Sequence, residues 1–286
     1  MRHRYGEYAD QDLYWHIDFR IHNESLHLLN AESTALSLHQ QRSFILGFAL
    51  VQPSLAYFIE SSYFLSIGSA PSKGDDTLST LFEKYRAPTD DTGVVTVEGT
   101  MRYLGDLGVN SENAEILVAL EIVQSPALGE MSKNAFVEAW KRIGADTISK
   151  QKTYVASQIS LLSTDMALFK RVYKHAFICS KETSQKALPL ENAIIYWQLL
   201  FAPPGMKWIT PSTNWLQLWI DFISKKWTRS VNKDMWNQTA VFFEKTLQDE
   251  TLGFWSEDGA WPGVIDQFVE YAKKERGDVP DAMETD

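Results

Sequence analysis

The segment VNKDMWNQTAVFFEKTL (residues 231–247) has the pattern of an amphipathic α-helix with a marked beginning. Its apolar residues at spacings of three and four are Trp236, Ala240, Phe243 and Leu247. Such residues share one face of a helix and predict that this face is buried. Asn232 is typical of an N-cap, which places Asp234 in the first helical turn. Helix-dipole complementation alone would explain a carboxylate at that position.

The same periodicity recurs from residue 77 to residue 275, and no strand pattern competes with it. The apolar positions of four further helices are Phe136, Ala139, Trp140 and Ile143; Phe169, Val172, Tyr173, Ala176 and Phe177; Leu216, Trp219, Ile220 and Ile223; and Ile265, Phe268, Val269 and Ala272. The segment ILVALEIV (116–123) is apolar on nearly every side, which predicts a helix that is buried all round or lines a groove. The sequence therefore predicts an all-α fold.

Composition narrows the function classes. The chain has 286 residues, of which 44% are hydrophobic, and a formal charge of -10. This charge argues against non-specific nucleic-acid binding and against anionic membrane surfaces. One cysteine excludes an internal disulfide and a cysteine-rich zinc site, so we expect no metal and no cofactor. The apolar run at 44–59 is shorter than a membrane span and is broken by Gln52 and Pro53.

Local composition divides the chain into five parts. Residues 1–43 have no assigned fold, and residues 44–68 precede SAPSKGDD (69–76), which has the composition of a linker. The helical body covers residues 77–275, and an acidic tail follows at 276–286.

Two motifs raise alternative functions. APTDDTGVVTVEG (87–99) has the outline of an EF-hand loop with Gly93 at position 6, but Pro88 and Gly99 occupy positions 1 and 12, where calcium needs acidic ligands. A calcium sensor is one alternative. His175 and Cys179 lie one helical turn apart, which makes a thioester-forming enzyme the other alternative. A buried apolar cysteine is the competing interpretation of Cys179.

GAWPGVIDQF (259–268) predicts the start of a further helix and places Asp266 among small residues. An exposed, solvated helix face is sufficient to explain this carboxylate. It nevertheless resembles Asp234 in lying close to a helix start.

Several long motifs, in order, resemble the PONY (potentiating neddylation) domain of the defective-in-cullin-neddylation proteins. The resemblance is carried by LFEKYRAPTDDTGVVTVEGTMRYLGDLGV, LGEMSKNAFVEAWKRIGADTI, FKRVYKHAF, QKALPLENAIIYWQLL, WTRSVNKDMWNQTAVFF and EDGAWPGVIDQFVEY, between residue 78 and about residue 275. It implies two EF-hand-like halves that do not bind calcium. It also implies a non-catalytic scaffold that promotes transfer of a ubiquitin-like modifier from its conjugating enzyme to a cullin.

The resemblance further implies two binding sites. The cullin-binding patch corresponds to Asp234, Ala260 and Asp266. The pocket for the acetylated N-terminal methionine of the conjugating enzyme corresponds to Ile116, Ala119, Leu128, Met131, Cys179, Tyr196 and Leu199. The implied partners are thus the cullin C-terminal region and an N-terminally acetylated conjugating enzyme.

The first part of the chain adds a weaker resemblance. QPSLAYFIESSYFLS (52–66) is similar to the second helix of a ubiquitin-associated domain, so residues 44–68 are interpreted as a degenerate remnant of one, with ubiquitin or a ubiquitin-like modifier as its ligand. By family analogy the protein is expected in the cytoplasm, the nucleus or both.

Overall fold

A computed structural model describes residues 73–181 and 184–277. The described elements, in chain order, are α1 (Lys73–Glu83), β1 (Val94–Val95), α2 (Val97–Leu107), α3 (Glu115–Ile122), β2 (Met131–Ser132), α4 (Lys133–Ile143), α5 (Ile148–Leu161), α6 (Met166–Ser180), β3 (Ala187–Leu188), α7 (Leu190–Leu200), α8 (Trp215–Lys226), β4 (Val231–Asn232), α9 (Lys233–Gln248) and α10 (Gly263–Glu275). The predicted all-α class is confirmed, since the strands among the described residues are each only two residues long.

The short strands organise the helices into two pairs of helix–strand–helix units. β1 pairs antiparallel with β2, so that Val95 lies opposite Met131. β3 pairs antiparallel with β4, so that Leu188 lies opposite Val231. Each half of the described domain therefore contains two helix–strand–helix units. That these halves are EF-hand-like, as the family resemblance implies, stays a prediction. Sequence periodicity missed these strands because two residues are too few to show alternation.

α3 and α6 join the two halves. Every residue of α3 from Ile116 to Ile122 is buried, which confirms the expectation from its uniformly apolar sequence. α3 packs against α6, while α1 packs on α4 and α2 on α5 in the first half. In the second half, α9 packs on α6, and α10 packs on both α8 and α9. One continuous apolar core results.

Three large aromatic residues connect α6, α7 and α9 at the centre of the second half. The Trp236 ring stacks on Tyr173 with centroids 4.6 Å apart and on Trp197 at 5.3 Å. Trp236 Nε1 donates to the Tyr173 carbonyl at 2.9 Å, and the Tyr173 hydroxyl donates to the Trp236 carbonyl at 3.0 Å. Trp197 Nε1 donates to the same hydroxyl at 2.8 Å. These polar groups can be buried because each has a partner.

Two predicted boundaries are corrected by the structure. α1 begins at Lys73, so residues 73–76 are helical and do not belong to a linker. Gly, Ser and Asp are common at helix beginnings as well as in linkers, which is why composition misplaced this boundary. At the other end, Arg276 belongs to the domain, because its Nη1 donates to the Glu250 carbonyl at 2.7 Å and its guanidinium lies 5.0 Å from the Trp215 ring.

The remaining predictions for the termini lie outside the described residues. They concern residues 1–43, the ubiquitin-associated remnant at 44–68 and the tail beyond Gly277. Across the part of the chain that is described, no helix combines the length and the apolar character required to cross a bilayer.

Replacing Tyr173 by Phe tests the central cluster. The change removes the hydroxyl that donates to the Trp236 carbonyl and leaves the buried Trp197 Nε1 without its acceptor, which should lower the free energy of unfolding by about 1–3 kcal/mol. Urea unfolding followed by tryptophan fluorescence would measure this loss. Tyr154→Phe is the matched control, because the Tyr154 ring packs on Trp140 but its hydroxyl makes no hydrogen bond to a described residue. Equal losses in the two variants would contradict the assignment.

Candidate functional site

Asp234 is exposed at the beginning of α9, where the sequence predicts it. Asn232 caps the helix, since its Oδ1 accepts from the Met235 backbone N–H at 2.8 Å. The pairing of β4 with β3 and the burial of Val231 hold the preceding residues in place. The Asp234 carboxylate makes no hydrogen bond or ion pair with a described residue. It is therefore free to accept hydrogen bonds from a partner.

Asp266 lies in the first turn of α10 and is held by a residue that sequence reasoning missed. Trp255 Nε1 donates to Asp266 Oδ1 at 3.0 Å, and the ammonium group of Lys273 lies 4.5 Å from the centre of the Trp255 ring. Asp266 is half-buried, and the indole N–H of Trp255 orients one oxygen of its carboxylate. Trp255 precedes Asp266 by eleven residues and lies outside α10, so helical periodicity does not predict this contact.

The turn before α10 brings Ala260 to the surface. Ala260 is exposed, whereas the next residue, Trp261, packs against Phe242 and Phe254 with centroid distances of 5.8 and 6.1 Å. The half-buried tryptophan anchors the turn against the core and leaves the small alanine exposed. A partner can therefore approach the backbone closely at Ala260.

A groove of about 520 Å³ connects the starts of α9 and α10. It is lined on one side by residues 226–230 with Asn232, Asp234 and Met235, and on the other by Pro262, Gly263, Val264 and Gln267. Asp234 thus faces the helix that carries Asp266, although the two residues are 32 positions apart. The structure brings both helix starts to one surface.

The residues of the predicted acetyl-methionine pocket lie on neighbouring elements. Ile116 and Ala119 are on α3, Leu128 and Met131 lie at or before β2, Cys179 is on α6, and Tyr196 and Leu199 are on α7. Six of them are at most 9% exposed, and Leu199 is half-buried. In this conformation they form part of the apolar core between the two halves.

The segment before β2 is tied down by a buried serine. Ser125 Oγ donates to the Ala127 carbonyl at 2.8 Å and also contacts the Glu130 carbonyl. Leu128 lies inside the turn that these contacts close. The backbone around Leu128 and Met131 is therefore fixed by local hydrogen bonds.

Burial makes Cys179 and His175 poor candidates for covalent chemistry. Cys179 is 2% exposed, and desolvation raises the pKa of its thiol to about 12. The thiol lies 3.6 Å from the Ala176 carbonyl. His175 is also buried, and desolvation lowers its pKa. Both shifts favour the neutral forms, so a thiolate–imidazolium pair is disfavoured.

The loop that resembles an EF-hand is held by hydrogen bonds between its own residues. Asp90 accepts hydrogen bonds from Ala87 N at 2.8 Å, from Thr96 N at 3.3 Å and from the Thr96 hydroxyl at 2.6 Å. At position 12, a Cβ on Gly99 would lie 2.1 Å from the Tyr85 carbonyl oxygen, so a glutamate ligand does not fit there. Gly93 has φ +80°, as the tight turn requires. No His, Cys, Asp and Glu cluster suited to a metal occurs among the described residues.

These observations define an all-helical domain whose exposed candidate site is suited to docking. A family model described as Cullin binding matches residues 150–271. Defective in cullin neddylation protein 1 of Pyricularia oryzae is 40% identical over 242 residues, which cover 81% of this chain and 85% of that protein. The protein of the same name from Yarrowia lipolytica is 33% identical over 196 residues, covering 68% and 78%. DCN1-like protein 3 of Drosophila melanogaster is 29% identical over 221 residues, covering 72% and 63%.

The chain therefore belongs to the defective-in-cullin-neddylation family. The family resemblance deduced from the sequence motifs is confirmed.

The accessibility of Cys179 can be measured directly, because it is the only cysteine. In the native protein at pH 8 the thiol should not react with a disulfide reagent such as Ellman's reagent, since it is both buried and protonated. In 6 M guanidinium chloride one equivalent should react at once. Rapid reaction of the folded protein would contradict the burial described above and would favour the enzyme alternative.

Proposed function

We propose that this protein promotes cullin neddylation as a scaffold that holds the conjugating enzyme of the modifier beside the cullin C-terminal region. The observation that carries the proposal is the pair of accessible carboxylates at two adjacent helix starts, in a chain whose relatives are named for cullin neddylation. Cullin binding is supported by the family model. The bridging mechanism and its non-catalytic character belong to the proposal.

The physical basis of such stimulation is proximity. A scaffold that fixes two reactants in one orientation removes translational and rotational entropy from the barrier. It needs two binding surfaces at a constant separation and no nucleophile of its own. The continuous core between the two halves supplies such rigidity, and the burial of Cys179 agrees with a scaffold better than with a thioester-forming enzyme.

The cullin-binding surface consists of Asp234, Ala260 and Asp266. The free carboxylate of Asp234 is suited to an arginine or lysine of the partner, because charge-assisted hydrogen bonds are strong and directional. Trp255 orients the second carboxylate, and Ala260 permits close approach. The surface therefore favours a basic partner with a protruding contact.

The conjugating enzyme is proposed to insert its acetylated N-terminal methionine between α3, α6 and α7. An acetyl group removes the positive charge of the terminal amine, so that the end of the chain can enter an apolar site without an unpaired buried charge. The site residues are nearly all buried in the free protein. Binding would thus require local side-chain rearrangement. The setting of this activity is proposed to be the cytoplasm, the nucleus or both.

The cullin-binding surface is tested in a reconstituted neddylation assay with Asp234→Ala, Ala260→Arg and Asp266→Ala. Each variant should reduce the stimulated rate about ten-fold or more, since each removes a charged hydrogen-bond acceptor or blocks close approach. Asp146→Ala is the control, because it removes an exposed carboxylate on the other half of the domain. Full stimulation by all three folded variants would exclude this surface.

Trp255→Phe tests the orientation of the Asp266 carboxylate separately from its charge. It retains the Asp266 carboxylate but removes the 3.0 Å hydrogen bond that orients it. We expect a smaller loss than for Asp266→Ala.

The second surface is tested with two forms of the conjugating enzyme that differ only in the N-terminal acetyl group. The acetylated form should bind more tightly, by roughly ten-fold or more, because the unmodified amine would have to lose a charge or its hydration. Isothermal titration calorimetry measures the difference. Equal affinity for the two forms would contradict an apolar pocket for acetyl-methionine and would leave the cullin-binding surface unaffected.

A further inference from the structure

An unusual concentration of positive charge lines the groove beside Asp234. The chain has a net charge of -10, yet residues 225–233 contain four cations and no acid. Those cations are Lys225, Lys226, Arg229 and Lys233. Two of them, Lys226 and Arg229, belong to the wall of the groove. Residues 227–230 connect α8 to β4. We name the space between residues 226–230 and the start of α10 the linker groove.

The two groove cations are not neutralised by the protein itself. Neither Lys226 nor Arg229 forms an ion pair with a described residue, and both are exposed. Arg229 only stacks over the Trp227 ring, with its guanidinium carbon 5.7 Å from the ring centre. Lys225 differs, because it faces Tyr271, Asp221 and Glu275, whose negative forms raise its pKa. The positive charges of Lys226 and Arg229 are therefore available to a ligand, while Asp234 contributes a negative charge to the same groove.

The opposite wall contributes further hydrogen-bond donors. α10 begins after Pro262, which provides no side-chain cap. The backbone N–H groups of Gly263 and Val264 consequently have no acceptor within the helix. A Cβ placed on Gly263 would meet nothing within 4 Å, so the space above this residue is open. On the first wall, the buried Trp227 Nε1 is also without a hydrogen-bond partner in the described structure.

We propose that the linker groove is a carboxylate-binding subsite of the cullin-docking surface, occupied by an acidic side chain of the docked cullin segment. The assignment rests on the proposed function and extends it. Two cations without an ion-pair partner and the free backbone N–H groups of Gly263 and Val264 suit a carboxylate, which accepts hydrogen bonds only. The groove is continuous with Asp234, so the same partner can contact both. A cullin segment of mixed charge is therefore the occupant that the surface fits.

This arrangement of charges determines the orientation in which a partner can bind to the docking surface. Asp234 and Asp266 attract cations of the partner, while Lys226 and Arg229 attract an anion a short distance away. A partner with uniformly positive charge would be repelled by the groove, and one in reverse orientation would place like charges together. The linker groove thus selects the orientation of a bound cullin as well as its charge.

Charge reversal tests the subsite. In Lys226→Glu/Arg229→Glu the affinity for the isolated cullin C-terminal domain should fall roughly ten-fold or more at 50 mM salt, with a smaller change at 500 mM. The charge-matched control is Lys152→Glu/Lys207→Glu, which alters two exposed lysines outside the linker groove. Calorimetric titration gives the affinities, and thermal unfolding verifies that each variant is folded.

Asp234→Ala makes failure of this inference distinguishable from failure of the proposed function. If Asp234→Ala weakens cullin binding while the double charge reversal does not, the docking surface stands and the carboxylate subsite is excluded. If neither change affects binding, both proposals fail. If the control pair weakens binding as strongly as the groove pair, the effect reflects net charge, and the subsite is again excluded.

The occupant is identified by NMR of the Trp227 indole N–H. An acetylated tetraglutamate amide should shift this signal in the wild-type chain but not in the double charge reversal, and the matching tetraglutamine peptide should have no effect. The competing occupant is the chain's own segment at 278–286, whose acidic residues are Asp278, Asp281, Glu284 and Asp286. Converting these four to their amides should leave the signal and the cullin affinity unchanged. If the conversion to amides instead shifts the signal and tightens cullin binding, the occupant of the groove is this segment of the chain and not the cullin.

Discussion

The reciprocal hydrogen bonds between Tyr173 and Trp236 are the contact on which the candidate site depends. Each residue donates from its side chain to the carbonyl of the other, and the two rings stack at 4.6 Å. Because Trp236 lies only two residues after Asp234, this buried pair determines how the beginning of α9 stands on α6. Burial of such polar groups is tolerated only when all are paired, so the contact permits one arrangement of the two helices.

The described domain buries its thiol and imidazole groups and leaves charged groups accessible near two helix starts. His175 and Cys179 are buried in the core between the halves, where burial favours their neutral forms. The carboxylates and cations near the starts of α9 and α10 remain accessible instead. This distribution of groups supports the proposed scaffold role, and the cations of the linker groove add a positive counterpart to the two carboxylates of the surface.

Helical periodicity was sufficient to predict the helices that carry the core. The spacing of Phe169, Tyr173 and Phe177 predicted α6, and Asn232 predicted the start of α9, where it does cap the helix. Periodicity missed the two-residue strands, the hydrogen bond from Trp255 to Asp266 and the packing of Arg276. Each of these depends on a contact between residues that are separated along the chain. Composition misplaced the start of α1 for a different reason, because linkers and helix beginnings share residue types.

The sequence by itself determined the all-α class, the helix starts that bear Asp234 and Asp266, and the family. Those features follow from local spacing, capping and motif order. Only the tertiary structure decided that the two helix starts share a surface, that Lys226 and Arg229 line the groove without partners, and that the Cys179 thiol is inaccessible. Burial and proximity are properties of how helices pack, and packing joins residues whose separation along the chain carries no signal of their contact.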